Sequence, residues 1–296
     1  SGALPAAAGF LADISRPEDR LKAMTLPSRA FALGGLAGLC LIWPAAAVLG
    51  FTGPIFLVAC LGAAVGTGAL VLIDDRRVYL HGPQCNDSLW IDRPVGPHPR
   101  QHGLLAVNML AFSCVSLIQT TVPFLVQDQF GLQMGETISF STGLGLTLSL
   151  STLAALRVAR IPGPAYGTRA IWLAASGLSV AAMGACALYA GGFPAVLFLA
   201  HALIGFGFGL FVPSTQCLLS IRTSQGEQAH AAGRLSAAAT AGYVIGPLVG
   251  AFLYADIGPW IYLISMAVLA ALAACLLVQR PRKRLHASIQ SRPDTP

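Results

Sequence analysis

The chain has 296 residues, of which 55% are hydrophobic and only 10% charged, with a mean hydropathy of +0.69. A water-soluble domain carries about 25% charged residues, so the composition excludes an ordinary soluble protein and indicates a membrane one. The net charge of +6 then says less about nucleic acid, which is not expected as a partner, than about which side of the bilayer each loop occupies.

The first twelve residues are almost wholly apolar, and charge begins at Asp13. As helix they rise only about 18 Å, against about 30 Å of hydrocarbon. No basic residue precedes them, unlike a signal peptide. They are expected to be the inner end of a span that begins upstream of Ser1. Uncharged apolar stretches long enough to cross a bilayer follow at 30–50, 54–73, 103–126, 137–156, 170–189, 195–219, 235–255 and 259–279. All 18 Lys and Arg fall in five segments, 1–29, 74–102, 157–169, 220–234 and 280–296, and the alternate loops hold none. Basic loops are retained in the cytoplasm. Both ends of the chain are therefore expected on the cytoplasmic side of the cell (inner) membrane, with eight complete crossings between them. None of the 12 carboxylates lies within a span, and Asp128, Glu136 and Asp256 fall on the outer side. The seven cysteines are scattered through the sequence, which suits small packing residues rather than a disulfide framework.

Polar side chains inside spans are the candidates for function, because lipid makes them costly. Asn108 and Gln119 are eleven residues apart, which returns to the same helix face, with Phe112 and Ser116 nearby and Thr120 and Thr121 beside it. The span 195–219 carries His201, Ser214, Thr215 and Gln216, and 235–255 carries Tyr243. Asn108, Phe112, Ser116, Gln119, His201, Gln216 and Tyr243 are the expected cavity residues; the alternative is that they join helices together. His201 is the one group among them that titrates near neutrality. "GFGFG" at 205–209 sits mid-span with no strand before it and no Lys after it, which excludes a phosphate loop. Gly205 and Gly209, Gly242, Gly246 and Gly250, and Gly34 and Gly38 have the spacing that lets helices approach closely, as do Gly62 and Gly66. These ridges are expected to pack helices and to slide during a rocking motion, with Pro247 bending its helix. In the loop at 74–102, His81, Cys85, His98 and His102 have spacings seen in zinc sites. The loop's Pro, Gly and charge fit a solvated linker instead. No metal, cofactor or enzymatic chemistry is expected.

Sliding the sequence by 208 residues, without a gap, aligns Pro5 with Pro213, Leu11 with Leu219, Asp19 with Glu227, Ala23 with Ala231, Ser28 with Ser236, Gly34 with Gly242, Gly38 with Gly246 and Gly50 with Gly258. Such a register indicates duplication, a common plan among secondary transporters.

Two stretches carry a family resemblance. "FLADISRPEDRLKAM" resembles the loop between the fourth and fifth helices of the major facilitator superfamily, and "AGYVIGPLVGAFLY" resembles its eleventh helix. The resemblance implies an all-α, major-facilitator-type bundle holding the end of family helix four and helices five to twelve. It divides the chain into the remainder of a first six-helix half at 1–73, a cytoplasmic linker at 74–102, a second half at 103–279 and a basic tail at 280–296. It implies a lipid bilayer and a small-molecule substrate as partners, with transport by alternating access. The drug–proton antiporter branch is similar in its spaced glycines followed by Gly-Pro. Gly34 and Gly38 keep that pattern, Leu39 and Ile42 depart from it, and Gly242, Gly246, Pro247 and Gly250 hold it intact. That narrower resemblance implies export of drug-like or amphipathic compounds, with the proton as coupling ion. Proton-coupled uptake of a metabolite, or a non-transporting scaffold or receptor, are the alternatives.

Overall fold

Inside a bilayer a chain can satisfy its backbone only as helix or closed barrel, and the described segments of this one are helices and the short turns between them. The computed structural model describes residues 7–11, 15, 19–49, 52–72, 99–160, 166–223 and 227–278. The helices are α1 (Arg20–Leu49), α2 (Thr52–Leu72), α3 (Pro99–Phe130), α4 (Met134–Ala159), α5 (Tyr166–Tyr189), α6 (Pro194–Ile221), α7 (Gln228–Ile257) and α8 (Trp260–Val278). No strand occurs among the described residues. Seven of the helices are long and apolar enough to cross a membrane; in α2 the apolar stretch found is Phe56–Val65. The chain is a multi-pass membrane protein. Of the expected ninth span, residues 7–11 are helical. Most of the linker and all of the tail lie outside the described residues.

The helices outrun their apolar windows, because backbone hydrogen bonding does not stop where the hydrocarbon does. Polar turns such as Gln127–Asp128–Gln129 continue α3, and Gln228–Arg234 open α7. Glycines end both: Gly131 (φ 61°) returns its N–H to the Gln127 carbonyl at 2.9 Å, and Gly258 (φ 56°) to that of Tyr254 at 2.9 Å. Positive φ costs a glycine nothing. At the start of α4 the Glu136 carboxylate accepts the Gln133 N–H at 3.1 Å, which satisfies a donor the helix leaves unpaired. The repeat is visible in these boundaries. A shift of 208 residues carries α1 onto α7 end to end, and the first residue of α2 onto the first of α8.

α6 runs through the middle, packed against α1, α3, α4, α5 and α7. Its "GFGFG" segment divides its glycines between two neighbours. A Cβ on Gly205 would meet the Leu148 carbonyl, and one on Gly209 would lie 2.7 Å from Thr152 O, both on α4. A Cβ on Gly207 would meet the Gly177 carbonyl on α5. Three helices can approach here only because these positions lack side chains. Thr152 Oγ1 adds a bond to the Gly205 carbonyl at 2.9 Å.

α3 and α7 run parallel, tied at three levels. Asn108 Nδ2 donates to Leu235 O at 3.1 Å, Ser116 Oγ to Tyr243 O at 3.1 Å, and the Tyr254 hydroxyl to the Asp128 carboxylate at 2.8 Å. The Ser116 bond has a local cause. Pro247 has no N–H, so the carbonyl four residues earlier, that of Tyr243, loses its helical partner, and Ser116 supplies one from the next helix. Ser116→Ala is expected to cost about 1–3 kcal/mol by orphaning that carbonyl, read as a lower unfolding midpoint in detergent, with Ser116→Thr retaining most of the wild-type value. Gly242, Gly246 and Gly250 face α3 between these bonds. A Cβ on Gly242 would meet the Met109 carbonyl, one on Gly246 the Ser113 carbonyl, and one on Gly250 would lie 3.0 Å from Leu117 Cγ.

α1 packs antiparallel to α4. Gly35 faces Ser149, and Gly145 lies against the Leu39 side chain. Gly34 and Gly38 have no neighbour within 4 Å, and neither does Gly62. The expected packing role of Gly34 and Gly38 is thus not realised among the described residues: α4 and α6 approach α1 on its other faces.

Candidate functional site

At the arginine-bearing end, α1, α3, α6 and α7 enclose a cavity of about 100 Å³ that also touches Ala8. Each helix reaches it with a short run of residues: Met24 from α1, Asn108 and Phe112 from α3, Val212 to Ser220 from α6, and Gln228 to Ala239 from α7. Segments on both sides of the 208-residue repeat therefore contribute wall.

The floor is built on the last turn of α6. Helix C-termini leave carbonyls without partners and carry a partial negative charge. The Ser220 carbonyl accepts from Arg20 Nη1 at 3.0 Å and from Gln228 Nε2 at 3.0 Å. Gln228 Nε2 also reaches Thr223 O at 2.9 Å, and Gln101 Nε2 is 3.5 Å from Thr223 Oγ1. Groups from α1, α3 and α7 thus converge on one helix end. Gly9 presses on the start of α7, where a Cβ would lie 2.6 Å from Ala229 Cα. On another side Phe112 lines the space, backed by further rings. Phe112 meets Phe208 edge-on at 5.6 Å between centroids and Tyr243 at 5.1 Å, and Phe208 continues to Phe211 at 5.6 Å.

Two buried oxygens at the cavity have no hydrogen-bond partner, Gln216 Oε1 and Ser220 Oγ. Buried polar atoms are normally paired, so an amide acceptor and a hydroxyl that can donate or accept are available to an occupant. Among the described residues, no carboxylate, amine, imidazole or thiol lines the space. The cavity can hold an amphipathic molecule against aromatic and aliphatic walls and bond its polar end.

Of the sequence-predicted residues, Asn108, Phe112 and Gln216 come together here. Asn108 is 2% exposed and spends its amide N–H on Leu235. Ser116 and Tyr243 lie beyond it in the α3–α7 seam, with Tyr243 reaching the site through Phe112. Gln119 is exposed and absent from the lining; eleven residues of helix carry it about 16.5 Å past Asn108, so a shared face does not mean a shared site. His201 is buried at 1% exposure with Nδ1 2.9 Å from the Leu197 carbonyl, fifteen residues from Gln216 on the far part of α6. Sequence reasoning missed Ser220, Gln228 and Arg20, which sit in polar turns at helix ends; their only signal was proximity to the basic loops. His81, Cys85 and His98 lie outside the described residues, and no group of three metal-ligating side chains occurs among those described. The described cysteines are all free.

The described residues thus form an all-helical bundle, most of whose helices are long and apolar enough to cross a membrane, with a polar-tipped cavity where α1, α3, α6 and α7 meet. The sequence model of the Major Facilitator Superfamily matches residues 163–294. The crystal structure of the human organic anion transporter MFSD10 (TETRAN) is similar over 92% of this chain and 67% of that chain, with a TM-score of 0.69 and 18% sequence identity; at that identity the likeness concerns the fold. No curated protein matches the chain by sequence.

Proposed function

We propose that the chain is part of a secondary transporter of the major facilitator superfamily, which moves small amphipathic molecules by alternating access and acts in export. One observation carries this reading: the cavity lies between segments on either side of the repeat, and two of the polar atoms on its described lining, Gln216 Oε1 and Ser220 Oγ, are unpaired. A site built to bind and release, closed at one end by contacts between α1 and α6, suits carriage rather than catalysis. The distribution of Lys and Arg supports a cytoplasmic location for the closed end. With no carboxylate among its described lining residues, the site offers no counter-charge to a cation, while the Ser220 hydroxyl can donate to a neutral or anionic polar end and the Gln216 amide oxygen can accept from it.

The test is flux in proteoliposomes under an imposed pH gradient, with the full-length protein and a panel of anionic, neutral and cationic amphiphiles. Directional accumulation of anionic or neutral compounds is expected. Gln216→Leu should raise KM about tenfold, the equivalent of one lost hydrogen bond of about 1.4 kcal/mol, with little change in protein stability. Flux of cations alone, or no flux with any compound, would overturn the reading.

A further inference from the structure

Where α1 packs on α4, Arg29, Arg157 and Arg160 lie near one another, and among the described residues no acid answers them. Four residues forward along α1, from Gly35 to Leu39, match four residues back along α4, from Ser149 to Gly145. Carried six residues toward the start of α1, that register sets Arg29 level with Ala155. Arg157 and Arg160 follow within the next turn and a half of α4. Both lie close enough for their charges to act on Arg29. The Arg160 Nε is buried and has no hydrogen-bond partner. Among the described residues no carboxylate pairs with any of the three.

This arrangement calls for an anion. Arginine does not shed its proton, so the repulsion cannot be relieved by neutralisation. A buried donor of a charged group left unpaired is costly. The carbonyls at the end of α4 offset part of that repulsion, but they are fewer than the donors. Guanidinium forks match phosphate oxygens, two bonds at a time. The flank of the cluster is greasy: Phe31 and Leu33 on α1, and Leu150 and Val158 on α4, are 67%, 53%, 55% and 40% exposed.

We propose that the α1–α4 seam binds the phosphate of an anionic phospholipid headgroup, with its acyl chains along the exposed apolar side chains of the two helices. The site is separate from the cavity between α1, α3, α6 and α7. It rests on the reading of α1 and α4 as membrane-crossing helices and not on transport, so a binding measurement tests it independently of flux. Bound there, one phosphate bridges α1 to α4 and ties the two sides of the repeat together.

Native mass spectrometry of the purified protein, with unfolding midpoints in detergent, supplies the test. The probes are dioleoyl phosphatidylglycerol, dioleoyl phosphatidylcholine and inorganic phosphate. Phosphatidylglycerol is expected to be retained and to raise the midpoint, while phosphatidylcholine at the same concentration is not. Arg29→Gln with Arg160→Gln should weaken phosphatidylglycerol binding at least tenfold. Arg169→Gln, at the same end on α5 but away from the seam, should leave it unchanged. Should the double variant not fold, Arg29→Lys keeps the charge without the fork and is expected to lose several-fold in affinity. Equal binding of the two lipids, or an equal loss in Arg169→Gln, would reduce the effect to diffuse attraction and overturn the site. Stabilisation by inorganic phosphate at matching concentration would assign the arginines to a free anion and overturn the lipid.

Discussion

Gly246→Ala is expected to lower the unfolding midpoint sharply, while Gly38→Ala leaves it unchanged or raises it slightly. The two glycines are counterparts under the 208-residue shift and both sit inside helices. Alanine is the better helix former by about 1 kcal/mol, so propensity alone would make both substitutions stabilising. Packing separates them. A methyl on Gly246 would meet the Ser113 carbonyl, with Ser116 Cβ at 2.8 Å and Leu117 N at 2.9 Å, whereas one on Gly38 meets nothing within 4 Å. Backbone atoms cannot rotate away, so α3 and α7 must separate. Overpacking of this kind costs about 1–3 kcal/mol, and moving the helices also stretches the Ser116–Tyr243 and Asn108–Leu235 bonds. Gly246→Leu should yield no monodisperse protein on size exclusion. Equal midpoints for Gly246→Ala and Gly38→Ala would show that the α3–α7 contact is looser than described.

The same geometry changes what the glycine ridge does. Periodicity alone allows Gly242, Gly246 and Gly250 to be either a fixed contact or a sliding one. With three cross-helix hydrogen bonds spread from Asn108 to Asp128, and carbonyls of α3 seated against the glycines, α3 and α7 are built to move as one body. The proposed alternating access then assigns relative motion to the surfaces where α1 meets α4 and α6. There the contacts include Gly35 facing Ser149, a leucine side chain against Gly145 and one arginine against a helix end.

The span positions were legible in sequence because the bilayer imposes them one residue at a time: each apolar window is decided locally. Helix ends were not, since the polar turns at Gln228 and Gln127 look like loop by composition yet extend the helix. The site was partly legible. Asn108, Phe112 and Gln216 stood out as polar or aromatic residues in an apolar run, and the structure brings them to one cavity. The helical wheel also put Gln119 with Asn108, because a wheel records angle and discards rise. His201 stood out by its chemistry alone, and its ring lies against the Leu197 carbonyl of its own helix. Ser220, Gln228 and Arg20 belong to the floor only through tertiary contact between elements some 200 residues apart, which no local pattern encodes.

Arg20→Ala is expected to open the arginine-bearing end of the cavity. The Arg20 bond to the Ser220 carbonyl is the hydrogen bond described between α1 and the floor, and it places a cation at the negative end of α6. A hydrogen bond from a charged donor contributes about 1.5–3 kcal/mol, so its loss should shift the closed–open equilibrium by about 10- to 100-fold. The readout is the labelling rate of Ala232→Cys, on the cavity wall, by a bulky impermeant maleimide in a background with the native cysteines replaced. Labelling from that end should accelerate within the stated range in Arg20→Ala and by less in Arg20→Lys, which keeps the charge. Gln228→Leu removes bonds that join α7 to the α6 end and the turn after it, without touching α1. It should therefore lower stability while leaving the labelling rate closer to wild type. If Gln228→Leu opens the cavity and Arg20→Ala does not, the end is closed from within α3, α6 and α7, and α1 is not the moving part.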